Sequence, residues 1–243
     1  MKDTSAVLVR SLRERLRRSE PSLVINVDHP SPSLVEYLGT LPVEAVMFDT
    51  EQGSPDFETV ENMARAARVA SVCSLVRTFN AEPWVIERLL FRRVDGLVVP
   101  RCESLSDVRR AVDAFRYCLP GREQDKLLIV QLEHIDLADR VGELAQVQGI
   151  DCIFIGPVDL SKSMGHLGNY RVQPVAATIE KCIAALRSAG VPVGMLVKPD
   201  DIDVWVEKGV SFLYAHANDF LDLGAKVLRQ RMEVATKPAA PKA

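Results

Sequence analysis

LLIVQLEH (residues 127–134) and DCIFIGPVDLS (residues 151–161) share one construction: a near-continuous apolar run, with an acidic residue soon after it stops. Short β-branched runs of this kind read as strands buried on both faces, the pattern of parallel sheets covered by helices. Moving outward, six more runs of the same type stand at 22–27, 45–48, 73–76, 96–99, 191–196 and 211–214. Between them, the segments 56–69, 83–92, 105–115, 135–147, 174–188 and 200–208 carry apolar residues at helical spacing on charged backgrounds. Eight strand–helix units in 243 residues favour closure into a (β/α)₈ TIM barrel over an open sheet. The open-sheet alternative is weakened further because neither G-x-G-x-x-G nor G-x-x-x-x-G-K-[ST] occurs. The expected organisation is one domain over residues 1–233. A short N-terminal amphipathic helix (7–18) is expected to carry Val7, Leu8, Leu12 and Leu16 on one side. A Pro/Ala-rich tail (234–243) is expected to be disordered.

Thirty Lys and Arg against thirty-three Asp and Glu leave a formal charge of −3, which offers no electrostatic footprint for nucleic acid. No apolar run approaches the roughly 20 residues that span a bilayer, so no membrane partner is expected. The Arg-rich start lacks the apolar centre of a signal peptide, and a cytoplasmic protein is the expectation. The five cysteines are scattered without a C-x-x-C pair, which argues against a zinc site or a disulfide framework. Cys73 and Cys152 fall inside apolar runs and read as buried, reduced thiols.

In barrels of this type, chemistry sits at the C-terminal ends of the strands. The residues standing where the apolar runs stop are Asp28 and His29, the segment Asp49-Thr50-Glu51-Gln52, then Arg77, Arg101, Glu133, His134, Asp159, His216 and Asn218. Each taken singly could be a solvated rim residue. Glu133 and Asp159, on neighbouring strand ends, can converge on one cation, and hard oxygen donors suit Mg²⁺ or Mn²⁺, with Co²⁺ and Zn²⁺ as further options. A metal that takes the carboxylate and keto oxygens of a 2-oxo acid favours enolate formation. Arg77 can offset charge developing on the same oxygen.

The stretches VEAVMFDTEQGSPDFETV, CSLVRT, LLIVQLE and FIGPVDLSKSMGHLGN resemble the HpcH/HpaI aldolases, metal-dependent class II pyruvate aldolases of the phosphoenolpyruvate/pyruvate-binding barrel superfamily. The resemblance runs from about residue 23 to about residue 228, and FIGPVDLS-x-x-MG is its most specific part. It implies Glu133 and Asp159 as metal ligands and Arg77 as the arginine that polarises the substrate oxygen. It also implies that the backbone amides around Val158 and Asp159, after the Gly156-Pro157 turn, hold the substrate carboxylate. It further implies a homo-oligomer, a hexamer built as a trimer of dimers that exchange C-terminal helices, with Phe220 and Leu221 near the interface.

Two departures stand out. The family's Asp-x-Glu-His reads Asp49-Thr50-Glu51-Gln52 here, and glutamine can orient a water or hydroxyl but cannot carry a proton. An Arg-Gly-rich loop that borders the family's site is cut down to YCLPGREQDK (117–126), which implies a more open pocket or one completed by a partner subunit. Among the remaining histidines, His29 beside Asp28 is the first candidate for proton transfer, ahead of His134 and His216, while His166 is expected to border the entrance. Phe79, Trp84 and Phe91 read as core or subunit contacts. The expected function is a metal-dependent carbon–carbon lyase acting on a 2-oxo acid, with an aldehyde as the second partner. The alternatives are citrate lyase β-like or decarboxylase chemistry that needs no histidine base, and a silent homologue that only binds the acid.

Overall fold

The eight apolar runs pair in chain order into a closed parallel barrel in the computed structural model, which describes residues 4–236. The strands are β1 (Ser22–Asn26), β2 (Ala45–Asp49), β3 (Cys73–Arg77), β4 (Gly96–Val99), β5 (Leu127–Leu132), β6 (Cys152–Ile155), β7 (Val193–Leu196) and β8 (Phe212–His216). Closure is made by β1 against β8, in a register that sets Ser22 opposite Phe212 and Asn26 opposite His216. The helices are α1 (Thr4–Arg17), α2 (Pro32–Leu38), α3 (Phe57–Val69), α4 (Pro83–Leu90), α5 (Leu105–Cys118) and α6 (Ile135–Asp139). They continue with α7 (Val141–Leu144), α8 (Pro157–Ser163), α9 (Gln173–Ser188), α10 (Ile202–Glu207) and α11 (Ala217–Thr236).

Two apolar layers result from the strands being buried on both faces. The outer layer lies between strands and helices and takes residues such as Val46, Val76, Leu128 and Ile153 together with Val108 and Ile179. The inner layer fills the barrel with Val24, Met47, Leu75, Val98, Ile129, Phe154 and Phe212. Gly194 on β7 makes room for this filling, because a Cβ there would stand 2.9 Å from the Phe154 ring and 3.0 Å from that of Phe212. Those two rings meet edge to face at 6.0 Å.

Helix α1 plugs the N-terminal end of the barrel. Val9, Leu12 and Leu16 are buried in the inner layer and Leu8 packs against it, so the expected apolar side holds except at Val7, which is 58% exposed while Val9 is buried. The face is chosen by what it meets: Ser5, one turn before Val9, donates to the buried Asp95 carboxylate, which also accepts from Ser74 N (2.9 Å) and Oγ (2.8 Å). Segment 135–147 is not one helix. Arg140 leaves helical geometry and Gly142 follows it, but Leu137, Ala138, Val141 and Leu144 remain on one buried face across the break. Residues 234–236, expected to begin a disordered tail, continue α11, and 237–243 lie outside the described residues.

Candidate active site

Each strand ends where its side chains reach the rim, and the parallel register puts those ends side by side. On β2 and β3, Asp49 faces Arg77. Arg77 Nε donates to Asp49 Oδ1 at 2.9 Å and Nη2 to Oδ2 at 2.5 Å, a two-point pair in a buried setting. The 49–52 turn folds over the same carboxylate, with the backbone N–H groups of Glu51 (3.0 Å) and Gln52 (3.2 Å) donating to Oδ1. Burial pushes the Asp49 carboxyl up, but Arg77 and these two amides more than offset it, and the group ends below the ordinary aspartate value. Glu51 reaches Arg77 Nε at 3.3 Å and Arg101 Nε at 2.7 Å.

Beyond the end of β5, Glu133 is buried and accepts from Arg101 N (2.5 Å) and from Gln131 Nε2 (3.0 Å). Arg101 takes a left-handed backbone (φ 57°), which turns its N–H towards Glu133. Burial first, and then repulsion from Glu51 and Asp159, push Glu133 up to about 7 against that N–H. Glu133 Oε2 lies against Gly156, where a Cβ would come within 3.1 Å of it. Asp159 sits in the first turn of α8, and its carboxylate meets Lys162 at 2.8 Å.

A cavity of about 410 Å³ opens among these strand ends, lined by Asp49, Gln52, Arg77, Gln131, Gly156, Pro157, Val158 and Asp159, and also by Asn26, Asp28, His29 and His216. Gln131 Oε1 is buried and has no hydrogen-bond partner among the described residues. No group of three or more His, Cys, Asp or Glu side chains gathers at a metal-sized point among the described residues. The donors present are therefore two carboxylates and one orphaned amide oxygen. That set fits a hard divalent cation that keeps several positions for water or substrate oxygens. It does not suit the sulfur- and nitrogen-rich shells of structural zinc.

At the turn into α8, Gly156 offers no side-chain cap and Pro157 has no N–H. Leu160 N is bonded to Gly156 O, so the unspent donors of this first turn are the amides of Val158 and Asp159.

The histidines are arranged differently from the expectation. Asp28 does not orient its neighbour His29. Its Oδ1 meets His216 Nδ1 at 2.6 Å across the β1–β8 closure, while His29 Nε2 meets Asn218 Oδ1 at 3.0 Å at the exposed edge. Successive residues leaving a strand point different ways, and the closing register puts β8 on the Asp28 side. His134 caps α6 by accepting from Asp136 N at 3.3 Å. His166 is not among the cavity-lining residues.

Segment 117–126 is also placed differently. It joins α5 to β5 and so lies at the N-terminal end of the barrel, where Arg13 of α1 donates to the carbonyls of Gln124 (2.5 Å) and Lys126. None of its residues lines this chain's own cavity. Phe79 packs on the core, edge to face with Trp84 at 5.7 Å, while Trp84 and Phe91 are exposed. Four of the five cysteines are buried, and burial pushes their thiols up, Cys182 to about 11 and Cys102 to about 12.

A closed parallel barrel with its polar ring at the C-terminal strand ends is the architecture of enzymes acting on small molecules. The chain belongs to the HpcH/HpaI aldolase/citrate lyase family, whose profile matches residues 23–219. It is 29% identical to the pyruvate aldolase of Rhizobium etli over 79% of this chain and 84% of that protein. It is 28% identical to the 5-keto-4-deoxy-D-glucarate aldolase of Salmonella arizonae, over 75% and 80% of the two chains. Among solved structures, an HpcH/HpaI aldolase/citrate lyase family protein from Burkholderia cenocepacia superposes with a TM-score of 0.84 at 26% identity, covering 92% of this chain and 99% of the other.

Proposed function

We propose that this protein is a divalent-metal-dependent carbon–carbon lyase that cleaves, or in reverse forms, a bond at C3 of a 2-oxo acid. The observation that carries the reading is the placement around one cavity of Arg77, Asp159 and the orphaned Gln131 oxygen, with Glu133 against its wall. Relatives named as pyruvate and hydroxypyruvate aldolases support it.

Glu133 and Asp159 would hold Mg²⁺ or Mn²⁺, with Asp159 exchanging its Lys162 pair for the cation. The ion would supply Lewis acidity towards the substrate's carboxylate and keto oxygens. The Val158 and Asp159 amides bind the substrate carboxylate at the start of α8. Arg77 is held rigid by Asp49, and its Nη1 makes no ion pair or hydrogen bond with the described residues, which leaves a donor for the oxygen on which charge develops. Gln52, beside Asp49, orients the second substrate or a water. His29, at the exposed edge, is placed to contact the outer end of the aldehyde portion. The exposed apolar face of α11, with Leu221, Leu223, Val227 and Leu228, supports a homo-oligomer built through that helix.

Calorimetric titration with Mn²⁺ and Mg²⁺ tests the site. Glu133→Ala and Asp159→Ala are expected to abolish binding, and unchanged affinity in either would refute the assignment. Cleavage of 4-hydroxy-2-oxo acids and decarboxylation of oxaloacetate, assayed side by side, separate aldol from decarboxylase chemistry. A protein that binds the acid and turns over neither would be the silent homologue.

A further inference from the structure

We infer that His216, oriented by Asp28, is the group that exchanges a proton with the substrate hydroxyl in this chain, a task Gln52 cannot perform; the inference rests on the lyase reading above. The two residues come from opposite ends of the sequence and meet because β1 and β8 close the barrel, with Asn26 and His216 in register. His216 Nδ1 stands 2.6 Å from Asp28 Oδ1. The Asp28 carboxylate is itself fixed by the Asn218 N–H on Oδ2 (2.9 Å) and by Asn26 Nδ2 on Oδ1 (3.2 Å). Asp28 adopts a left-handed backbone (φ 55°), a conformation aspartate tolerates better than most residues.

This network sets the tautomer. An ionised carboxylate only accepts, so Nδ1 carries the hydrogen and donates it to Asp28. Asn26 Nδ2, 3.3 Å from Nδ1, is also a donor and therefore bonds to the carboxylate rather than to the ring. Nε2 is left with its lone pair, and it makes no hydrogen bond with the described residues. The ring lines the same cavity as Asp159 and Gly156, with 30% of the side chain exposed. An orienting acid, a bonded Nδ1 and an Nε2 without a partner among the described residues, on a ring that lines the cavity, are the parts of a general base.

The charges around the ring are few. Asp219 accepts from His216 N at 3.2 Å and is neutralised by Lys198 at 2.9 Å. Tyr214, on the same strand, stacks edge-on at 5.2 Å, and His29 lies beyond Asn218. Asp49 and Arg77 line the same cavity, and Glu51 is a second carboxylate on Arg77, at 3.3 Å from its Nε.

In the cleavage direction, Nε2 takes the proton of the C4 hydroxyl. The C4–O electrons then form the aldehyde carbonyl, and the C3–C4 pair passes to the 2-oxo acid as its enolate. The imidazolium, paired with Asp28, returns the same proton to C3, so no net proton or electron is needed.

The test is steady-state kinetics of the Mn²⁺-loaded enzyme across the pH range in which imidazole titrates, with oxaloacetate decarboxylation, which has no hydroxyl proton to remove, measured alongside. His216→Gln is expected to lower kcat for aldol cleavage by about 10²–10³-fold with little change in KM, and to remove the acidic limb of the profile. Cleavage should fall at least about tenfold further than decarboxylation. Asp28→Asn should lower kcat less, and ¹⁵N spectra should show the Nδ1–H tautomer in the wild type and its loss in that variant. Adding Gln52→His to His216→Gln should restore part of the cleavage. An acidic limb that survives His216→Gln, or disappears instead in His29→Ala, overturns the inference while leaving the lyase reading intact. So does a parallel loss of both reactions, the sign of a merely structural clasp. A wild type that catalyses neither reaction overturns the lyase reading, and this inference with it.

Discussion

Asp49 shows how one residue joins stability to the site. Its carboxylate lies buried against Arg77, and its folded value is lowered below the ordinary one because the pair and two amides outweigh the cost of burial. A lowered folded value means that stability is contributed above the unfolded value, about 4, and is lost as pH falls through the folded value. Asp49→Asn is therefore expected to destabilise most at neutral pH, where it leaves the buried guanidinium with Glu51 as its remaining carboxylate. The gap between wild type and variant in urea unfolding should narrow from about pH 7 to about pH 2. A gap that stays constant over that range would show that the pair adds nothing pH-dependent. At this same scale the expected Asp28–His29 dyad failed. Adjacency in sequence suggested it, whereas side-chain direction and the closing strand decide which imidazole reaches the carboxylate.

Among the elements, strands were easier to read than helices. Runs such as 96–99, 127–132 and 152–155 coincide with β4, β5 and β6, because a strand buried on both faces has few alternatives to an all-apolar segment. Helix α5 is likewise legible: Ser104 and Asp107 form a capping box, and its apolar residues recur on one side. The break at Arg140 and the docking of α1 under the barrel were not legible, since apolar periodicity says which residues share a face but not what that face will meet. Leu12, fully enclosed at the bottom of the barrel, makes α1 part of the core. Leu12→Ala is expected to cost about 2–5 kcal/mol, read from urea unfolding, because the rigid barrel cannot collapse around the lost volume. A cost under about 1 kcal/mol would mean that α1 is only draped on the barrel.

At the level of the whole molecule, α11 is the element the chain does not cover. Leu221, Leu223 and Leu228 are exposed on a 20-residue helix whose last described residue is Thr236. If a second copy covers this face, Leu228→Arg should shift sedimentation towards a smaller species without changing the circular dichroism of the barrel. An unchanged sedimentation coefficient would exclude α11 from the interface. No helix among the described residues is long and apolar enough to cross a membrane.

The sequence by itself determined the barrel and the rim positions of Glu133, Asp159, Arg77 and Asp49. All of these follow from short-range pattern: apolar runs, the residues that stop them, and one readable motif. Only the tertiary structure decided that α1 closes the bottom, that segment 117–126 lies far from the cavity, and that Asp28 meets His216 instead of His29. Each of those depends on which distant strands and helices come together when the sheet closes on itself, and local sequence carries no record of a neighbour some 190 residues away.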